Sequence, residues 1–373
     1  MIFKFGEYCS NVFFSREVPL LKKISDDLGF GSGELRPLLV ADENTRSIAA
    51  KIAGQSGVPL CVLKSGEENK NWESVREILS AASAAGLGRD GIFIGIGGGV
   101  IGDLCGFASS IYMRGCRLVL VSTTLLGMVD ASVGGKTGFD LFGVKNLVGS
   151  FYPAENVYIP LESLSTLPER EWKSGMAELI KTAVLDGDDF LDKIMQLHTG
   201  TACGASICGF YNSVKSSDTQ TLRECIERAV LLKGAIVTED LRESGKRMLL
   251  NLGHTFGHAL EAAAGLGRIS HGEAVAWGIA RSCELGCELG ITPQTRARKI
   301  TELMRKFGYD LSCPHPFSGG ADTLLNAMKS DKKKKSGRLV FIVPDEKSAR
   351  HVVLETENEM KILENILKGG LCS

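Results

Sequence analysis

Three of the six histidines lie within 18 residues of one another, at His254, His258 and His271. His254 and His258 are four residues apart, which places both on one face of a helix. Catalytic zinc sites commonly use three nitrogen or oxygen ligands and leave one position open. Glu178, in a separate helical stretch, offers a carboxylate for such a site, and Lys181 follows it by one turn. The clustering predicts a catalytic divalent-metal site.

A glycine cluster, Gly97, Gly98 and Gly99, follows a predicted strand and precedes a predicted helix. Bare backbone at the start of a helix lets N–H groups face a pyrophosphate. Asp103 follows directly, whereas the usual acidic residue of a dinucleotide-binding fold lies about 20 residues further on. The segment therefore predicts a dinucleotide site of an uncommon kind.

A second glycine-rich segment runs from Asp130 to Gly138 and contains Lys136. Its Gly-Gly-Lys-Thr run resembles the end of a phosphate-binding loop, but Asp130 stands where that motif needs its first glycine. We therefore reject a nucleoside triphosphatase. A lysine in a glycine loop still suits an anionic ligand, and Lys145 and Asn146 add a cation and an amide.

Composition excludes several classes of protein. The net charge is −1, from 43 basic and 44 acidic residues, so the usual electrostatic signature of nucleic-acid binding is missing. The longest apolar stretch, Gly91–Ile111, is rich in glycine and interrupted by Asp103, which disfavours a membrane span. The N-terminus does not resemble a signal peptide. Eleven scattered cysteines without a C-x-x-C pair predict reduced thiols and a cytoplasmic protein.

The elements that position these residues fall into two groups. Strand and helix signals alternate over residues 1–160, which predicts a Rossmann-like α/β domain with a mostly parallel sheet. Its predicted strands are Arg36–Asp42, Val58–Leu63, Gly91–Ile96 and Arg117–Ser122, and its predicted helices include Thr45–Ser56 and Asn71–Ala85.

Residues 161–373 predict a mainly α-helical domain. Its predicted helices are Pro168–Leu185, Leu222–Val237, His254–Ala264, Gly272–Leu289 and Gln294–Phe307, and Arg338–Val343 is its one predicted strand. Thr199–Thr219 and the lysine run Lys332–Lys335 are predicted loops.

Six segments in order resemble the 3-dehydroquinate synthase family of sugar phosphate cyclases. They are Gly97–Arg114, Ser122–Gly138, Lys145–Pro153, Leu167–Leu185, Asn251–Glu261 and Ser270–Gly278. The resemblance implies an enzyme of the shikimate pathway that uses NAD and zinc or cobalt. It implies conversion of 3-deoxy-D-arabino-heptulosonate 7-phosphate into 3-dehydroquinate and phosphate, with NAD regenerated in each turnover.

The resemblance also implies roles for single residues. It makes Glu178, His254 and His271 the metal ligands and leaves His258 to move the hydroxyl proton. Residues matching substrate-binding positions are Lys136, Lys181, Lys233, Arg247, Asn146, Asn251 and, on the hydroxyl side, Asp130, with Lys332 or Lys333 at the phosphate. Residues matching NAD-binding positions are Asp42, Glu67, Lys70, Gly97, Gly98, Gly99, Asp103, Thr123, Thr124, Lys136, Lys145 and Thr166.

Arg114 matches an arginine that reaches the substrate phosphate from the neighbouring subunit, which implies a homodimer. The chain departs from the family pattern at Val144, where glycine is usual, and at Tyr152, where glutamine is frequent. These departures put the shape of the loop near Lys145 in question.

Three alternatives stay open at this point. Another sugar phosphate cyclase would differ at the positions of Lys233, Arg247 and Asn251, which here suit a carboxylate substrate. A metal-dependent alcohol dehydrogenase of the glycerol dehydrogenase type would release NADH. An inactive NAD-binding or regulatory protein would have no reason to keep the metal-binding set.

Overall fold

A computed structural model describes residues 1–31, 34–54, 57–199, 219–265, 267–312, 319–332 and 339–370. The chain divides into two compact units. The first unit is Met1–Leu167 together with Lys233–Arg242, and the second is Pro168–Leu232 together with Glu243–Ser373.

A seven-stranded sheet organises the first unit. Its strands are β1 (Ile2–Phe5), β2 (Tyr8–Ser15), β3 (Pro37–Asp42), β4 (Leu60–Leu63), β5 (Ile92–Gly97), β6 (Arg117–Ser122) and β9 (Asn156–Pro160). They lie in the order β1-β2-β9-β6-β5-β3-β4, and only the β1–β2 pair is antiparallel. All residues of β5 and β9 are buried, as parallel strands covered on both faces require.

Helices and a hairpin complete the first unit. The helices are α1 (Leu21–Asp27), α2 (Arg46–Ala53), α3 (Trp72–Ala84) and α4 (Gly99–Ile111). Asn71 caps α3 by accepting a hydrogen bond from the Ser74 N–H, at 3.1 Å. The strands β7 (Lys136–Leu141) and β8 (Val144–Phe151) form a separate antiparallel hairpin.

The second unit is mainly helical. Its helices are α5 (Glu169–Asp186), α6 (Asp188–Thr199), most of α7 (Thr219–Glu239), α8 (His254–Ala264), α9 (His271–Glu288), α10 (Gln294–Lys306), α11 (Ala321–Lys332) and α12 (Glu357–Gly369). The two strands β10 (Leu339–Pro344) and β11 (Ala349–Leu354) pair antiparallel. An apolar core including Phe256, Trp277, Phe341 and Leu363 holds α8, α9, β10 and α12 together.

The predicted fold class is confirmed, with a mostly parallel sheet in the N-terminal part and helices in the C-terminal part. The four predicted strands of the first domain are present, displaced by two residues at most. The prediction of a single late strand is wrong, because β10 pairs with β11. Most of the predicted loop Thr199–Thr219 lies outside the described residues. No helix in the described part of the chain is long and apolar enough to cross a membrane.

Candidate active site

Three helices of the second unit bring a carboxylate and two imidazoles together. Glu178 lies on α5, His254 begins α8 and His271 begins α9. Their ligand atoms all lie within 4.8 Å of one another. The Nε2 atoms of His254 and His271 lie 3.6 and 3.2 Å from Oε1 of Glu178. The donor set, one carboxylate oxygen and two imidazole nitrogens converging on one point, fits zinc or cobalt.

Glycines let these helices approach closely enough to form the cluster. A Cβ added at Gly272 would lie 2.3 Å from Cα of Ser174 on α5. A Cβ at Gly278 of α9 would lie 2.0 Å from the carbonyl oxygen of Gly253, which immediately precedes His254. Both distances are far below van der Waals contact with backbone atoms, so only glycine fits at these two crossings.

The start of α9 is fixed by a capping box. The Ser270 hydroxyl accepts a hydrogen bond from the Glu273 N–H, and the Glu273 carboxylate accepts one from the Ser270 N–H at 3.0 Å. His271 is the first residue after this cap. The sequence Ser-His-Gly-Glu thus places a ligand at a helix start whose direction is strongly constrained.

The two oxygens of Glu178 serve different partners. The Glu178 side chain is fully buried, and its Oε2 atom pairs with the ammonium group of the buried Lys181. Its Oε1 atom faces both histidines. Because the carboxylate is paired and faces two ring nitrogens, it can remain charged in the interior and serve as a ligand.

The two histidines of the cluster have opposite pKa shifts. Burial, followed by repulsion from Lys181, lowers the pKa of His254 to about 3, so its imidazole is neutral and ready to bind a metal. Burial also lowers the pKa of His271, but the carboxylates of Glu178 and Glu261 outweigh burial and raise it to about 10. A metal ion binding at His271 therefore takes the place of a proton.

His258 lies beside the cluster rather than in it. Its ring centre is 5.2 Å from that of His254 and 6.4 Å from that of His271. His258 is not part of the three-residue group whose ligand atoms converge among the described residues. The division between metal ligands and a proton-moving histidine stays a prediction.

Arg247 and Asn251 lie in a short 3-10 helix, Lys246–Asn251, just before α8. Residues four apart share one face of an α-helix, but this segment is not α-helical. A 3-10 helix has three residues per turn, so positions four apart point in different directions. Arg247 is only 2% exposed.

The amide group of Asn251 donates to the carboxylate of Glu243, a residue that the sequence did not single out. Glu243 has a positive φ of 58°, which no sequence pattern revealed.

In the first unit, the glycine cluster lies where β5 passes into α4. Gly97 ends β5, Gly98 is the N-cap of α4 and Gly99 is its first residue. A Cβ at Gly98 would lie 2.8 Å from the Thr124 side chain, so part of the need for glycine comes from packing. The open N-terminus of this 13-residue helix still suits an anion.

Two hydroxyl groups beside the glycine cluster have no hydrogen-bond partner in the described part of the chain. They belong to Ser122 and Thr123, which are 3% and 4% exposed, at the end of β6. Ser122 lines the same small cavity as Gly97, Gly98 and Gly99. Buried polar atoms without partners among the described residues are costly, and a polar ligand would satisfy them. The residues therefore fit a dinucleotide.

Lys70 contacts two residues that were predicted to bind different ligands, NAD for Asp103 and the substrate for Asn146. Its ammonium group lies 2.7 Å from Oδ2 of Asp103 and 2.6 Å from Oδ1 of Asn146. Burial raises the pKa of Asp103, and Lys70 opposes that shift. Asn146 was predicted on the substrate side, but here it contacts Lys70 of the predicted NAD-binding set. Asn146 follows Val144 and Lys145 in β8, and its positive φ of 51° places it in the left-handed region.

The buried Lys233 and the half-buried Asp130 form a second ion pair in the first unit. The Lys233 ammonium lies 2.7 Å from Oδ1 of Asp130 and 2.5 Å from its carbonyl oxygen. Asp130 belongs to a π-helical turn, Gly127–Ala131. The two predicted substrate-binding residues, which are 103 positions apart, are thus in contact.

The other predicted residues lie mostly in turns. Asp42 accepts a hydrogen bond from the Thr45 N–H at 2.9 Å, Thr124 accepts one from the Gly127 N–H at 3.0 Å, and the Thr166 hydroxyl donates to the Ser163 carbonyl. Glu67 begins a short 3-10 helix, and Lys136 is the exposed first residue of β7. Lys145 lies in β8, and Arg114 lies in an exposed turn. Lys332 ends α11, but its side chain lies outside the described residues, as does all of Lys333.

Solved structures define the class of protein to which this fold belongs. The 2-epi-5-epi-valiolone synthase of Streptomyces hygroscopicus subsp. jinggangensis, solved with NAD+ and Zn2+, superposes with a TM-score of 0.81 at 28% identity. The match covers 98% of this chain and 97% of that chain. A 2-deoxy-scyllo-inosose synthase, 24% identical, gives a TM-score of 0.80 over 100% and 99% of the two chains. The chain has the fold of the sugar phosphate cyclases.

Sequence comparison identifies the family within this class. Family models described as "3-dehydroquinate synthase N-terminal" and "3-dehydroquinate synthase C-terminal" match residues 60–174 and 175–334. The 3-dehydroquinate synthase of Dictyoglomus thermophilum is 37% identical over 80% of both chains. That of Colwellia psychrerythraea is 40% identical over 76% of both chains. The chain belongs to the 3-dehydroquinate synthase family, which confirms the resemblance seen in the sequence.

The dehydrogenase alternative matches at the level of fold only. The glycerol dehydrogenase of Schizosaccharomyces pombe is 16% identical, with a TM-score of 0.62 over 95% of this chain and 87% of that chain. The two architectures are alike, but this identity carries no information on the reaction.

Proposed function

We propose that the chain catalyses the reaction of its family. It converts 3-deoxy-D-arabino-heptulosonate 7-phosphate into 3-dehydroquinate and phosphate. The observation that carries this proposal is the convergence of Glu178, His254 and His271 beside the buried Lys181. A metal site with a fixed ammonium next to it suits a substrate that presents hydroxyl and anionic groups together.

The reaction needs two bound groups and several proton transfers. A bound NAD would supply a reversible hydride acceptor, and a divalent metal held by Glu178, His254 and His271 would acidify the hydroxyl that is oxidised. Transient oxidation at one ring carbon acidifies the neighbouring C–H, and phosphate is then eliminated. After the ketone is reduced again, the ring opens and an internal aldol step closes the carbocycle.

Residues of the second unit bind the substrate and move its protons. His258, next to the ligand set, takes the proton of the reacting hydroxyl as a general base. Arg247 binds the substrate carboxylate, because a guanidinium matches a carboxylate with two parallel hydrogen bonds. Asn251 and Lys181 bind hydroxyl groups. Lys332 or Lys333 binds the phosphate.

Residues of the first unit bind NAD and include two substrate-binding positions. The glycine cluster and the start of α4 bind the pyrophosphate, and the hydroxyl groups of Ser122 and Thr123 gain partners when NAD is present. Lys233 and Asp130 act together on the substrate, since they are in contact. We assign NAD binding to residues 1–160 and metal and substrate binding to residues 161–373, with Lys233 a substrate residue that lies in the first unit.

The enzyme is a homodimer in this proposal, and Arg114 completes the site of the neighbouring subunit. Arg114 is exposed and adopts a positive φ of 70°, directly after Met113 at 49°. Two consecutive residues with positive φ are strained, and such strain is typical of functional positions. Mixing inactive Arg114→Ala and His258→Ala subunits tests this. Random exchange in a symmetric dimer should restore about a quarter of wild-type activity. A mixture that stays inactive while the subunits exchange contradicts the shared site.

We place the enzyme in the cytoplasm. The described cysteines, among them the exposed Cys9 and the buried Cys61, Cys105 and Cys283, are all unpaired. Unpaired thiols in these numbers are typical of a reducing compartment.

Phosphate release tests the proposed reaction directly. Purified protein is given the heptulosonate phosphate with NAD, without NAD, and with NAD plus a chelator. Phosphate should appear only in the first case, while absorbance at the NADH band stays flat because NAD is regenerated. Stoichiometric NADH would instead indicate a dehydrogenase. Release of phosphate from a neutral sugar phosphate at an equal rate would indicate another cyclase.

A further inference from the structure

Behind the ligand face of His271 lies a second buried carboxylate, that of Glu261. The Glu261 side chain is 7% exposed. Glu261 lies on α8, seven residues after His254, so it shares a helix face with that ligand. A carboxylate this deeply buried is costly unless a partner compensates for it. A partner for the Glu261 carboxylate is therefore expected near the helix face that also carries His254.

The two nitrogens of the His271 ring face different carboxylates. Nε2 lies 3.2 Å from Oε1 of Glu178, and Nδ1 lies 3.6 Å from Oε1 of Glu261. Glu261 therefore lies on the side of the ring away from the ligand cluster and is not one of its converging residues. A movement of about half an ångström would bring the Nδ1–Glu261 pair into hydrogen-bond range.

His254 has the same arrangement with a different acceptor. Its Nδ1 lies 3.2 Å from the carbonyl oxygen of Leu252, and its Nε2 faces Glu178. In both histidines an acceptor behind the ring favours a proton on Nδ1 and leaves the Nε2 lone pair for the metal. The acceptor is a neutral carbonyl for His254 and a carboxylate for His271.

We propose that Glu261 is a positioning residue for the metal site: its carboxylate holds Nδ1–H of His271, so that Nε2 is oriented toward the metal. Such outer partners orient the ring, fix its tautomer and increase the basicity of the ligand. The inference rests on the metal site of the proposed function and adds a residue to it. Glu261 and the capping box at Ser270 act on the same ligand, one on its ring and the other on its backbone.

Metal affinity of purified variants tests this role. We compare wild type, Glu261→Gln and Glu261→Leu by competition with a chromophoric zinc chelator. Gln keeps an acceptor of the same shape without its charge, whereas Leu removes the acceptor. Affinity should fall in the order wild type, Gln, Leu, with a loss of about 10- to 100-fold for Leu. The absorption spectrum of the cobalt-loaded Gln variant should also shift, because the ligand field at His271 changes.

A matched control separates orientation from general stability. Glu359 closes the capping box of α12, so Glu359→Gln weakens a helix start with the same chemical change. That variant should lose thermal stability and keep wild-type zinc affinity and cobalt spectrum.

The zinc affinity and the cobalt spectrum of Glu261→Gln decide whether Glu261 has this role. Zinc affinity of Glu261→Gln within threefold of wild type, with an unchanged cobalt spectrum, overturns the role of Glu261, even if the Leu variant fails to fold. Failure of the wild-type protein to bind zinc or cobalt at all would refute the proposed metal site as well. Wild-type binding without an effect of Glu261→Gln refutes only this inference.

Discussion

Replacing Gly278 with alanine should separate two of the metal ligands without touching either of them. Gly278 lies inside α9, where that helix crosses the start of α8. A Cβ at this position would lie 2.0 Å from the Gly253 carbonyl oxygen and 3.0 Å from the Gly257 nitrogen. Both atoms belong to the backbone, so a change of side-chain rotamer cannot relieve the overlap.

The size of the effect follows from that geometry. Real Cβ atoms essentially never lie closer than 3.0 Å to such an atom, so the helices must separate by at least about 1 Å. Metal–ligand distances tolerate deviations of only about 0.2 Å. His254 directly follows Gly253, so its Nε2 would leave the position shared with Glu178 and His271. Overpacking costs about 1–3 kcal/mol, whereas the gain in helix propensity from Gly to Ala is at most about 1 kcal/mol.

Denaturant unfolding and zinc competition measure the two consequences. Gly278→Ala should lower the free energy of unfolding and reduce zinc affinity more than tenfold. The control is Gly369→Ala, at the end of α12, where an added Cβ meets nothing within 4 Å. That variant should keep wild-type zinc affinity and have equal or higher stability. If Gly278→Ala binds zinc as tightly as wild type, the close approach of α8 and α9 does not control the metal site.

Further substitutions separate the roles of individual residues. His271→Ala should lose metal and activity together, whereas His258→Ala should keep its zinc, measured by metal analysis, and lose turnover; a metal-free His258→Ala protein would contradict the ligand assignment. Arg247→Lys should keep zinc and NAD but weaken transition-state binding by about 1.5–3 kcal/mol, measured as kcat/KM, and an analogue without the carboxylate should show no such difference between wild type and variant. Lys70→Met should destabilise the protein by about 3 kcal/mol and weaken NAD binding measured by calorimetry, because Asp103 loses its buried partner; unchanged NAD affinity would remove Lys70 from the cofactor site.

The strands that the sequence predicted share one property, a continuous apolar run such as Ile92–Ile96. The missed strands β1, β8 and β11 lack this signal, whereas β9, which was also missed, is fully buried. Edge strand β1 has only four residues and alternates exposed with buried positions, and β8 is largely exposed. β11 mixes Arg350 and His351 with valines and becomes recognisable only through its pairing with β10. Local pattern therefore revealed strands with a long apolar run, whereas β1, β8 and β11 are defined by pairing with a neighbouring strand.

The candidate site was predictable where it depends on local spacing. The interval between His254 and His258 and the carboxylate of Glu178 are visible in the sequence. Contacts between distant segments were not visible, as in the pairs Lys233–Asp130 and Lys70–Asn146. Glu261 also went unnoticed as a functional residue, because an acidic residue seven positions after a histidine has many uses on a helix.

Charge explains why this cluster suits a divalent cation followed by an anionic substrate. In the metal-free protein Glu178 pairs with the ammonium of Lys181, and both Glu178 and Glu261 face His271, whose raised pKa keeps it protonated. Negative and positive groups are then equal in number, as a buried site requires. A divalent cation that replaces the proton on His271 leaves one excess positive charge there. In a buried site of low effective dielectric constant, that excess attracts a carboxylate or phosphate far more strongly than it would at the surface. The loaded site, with the Glu178 carboxylate at the metal and that of Glu261 behind His271, is therefore positive, as a substrate with both a carboxylate and a phosphate needs.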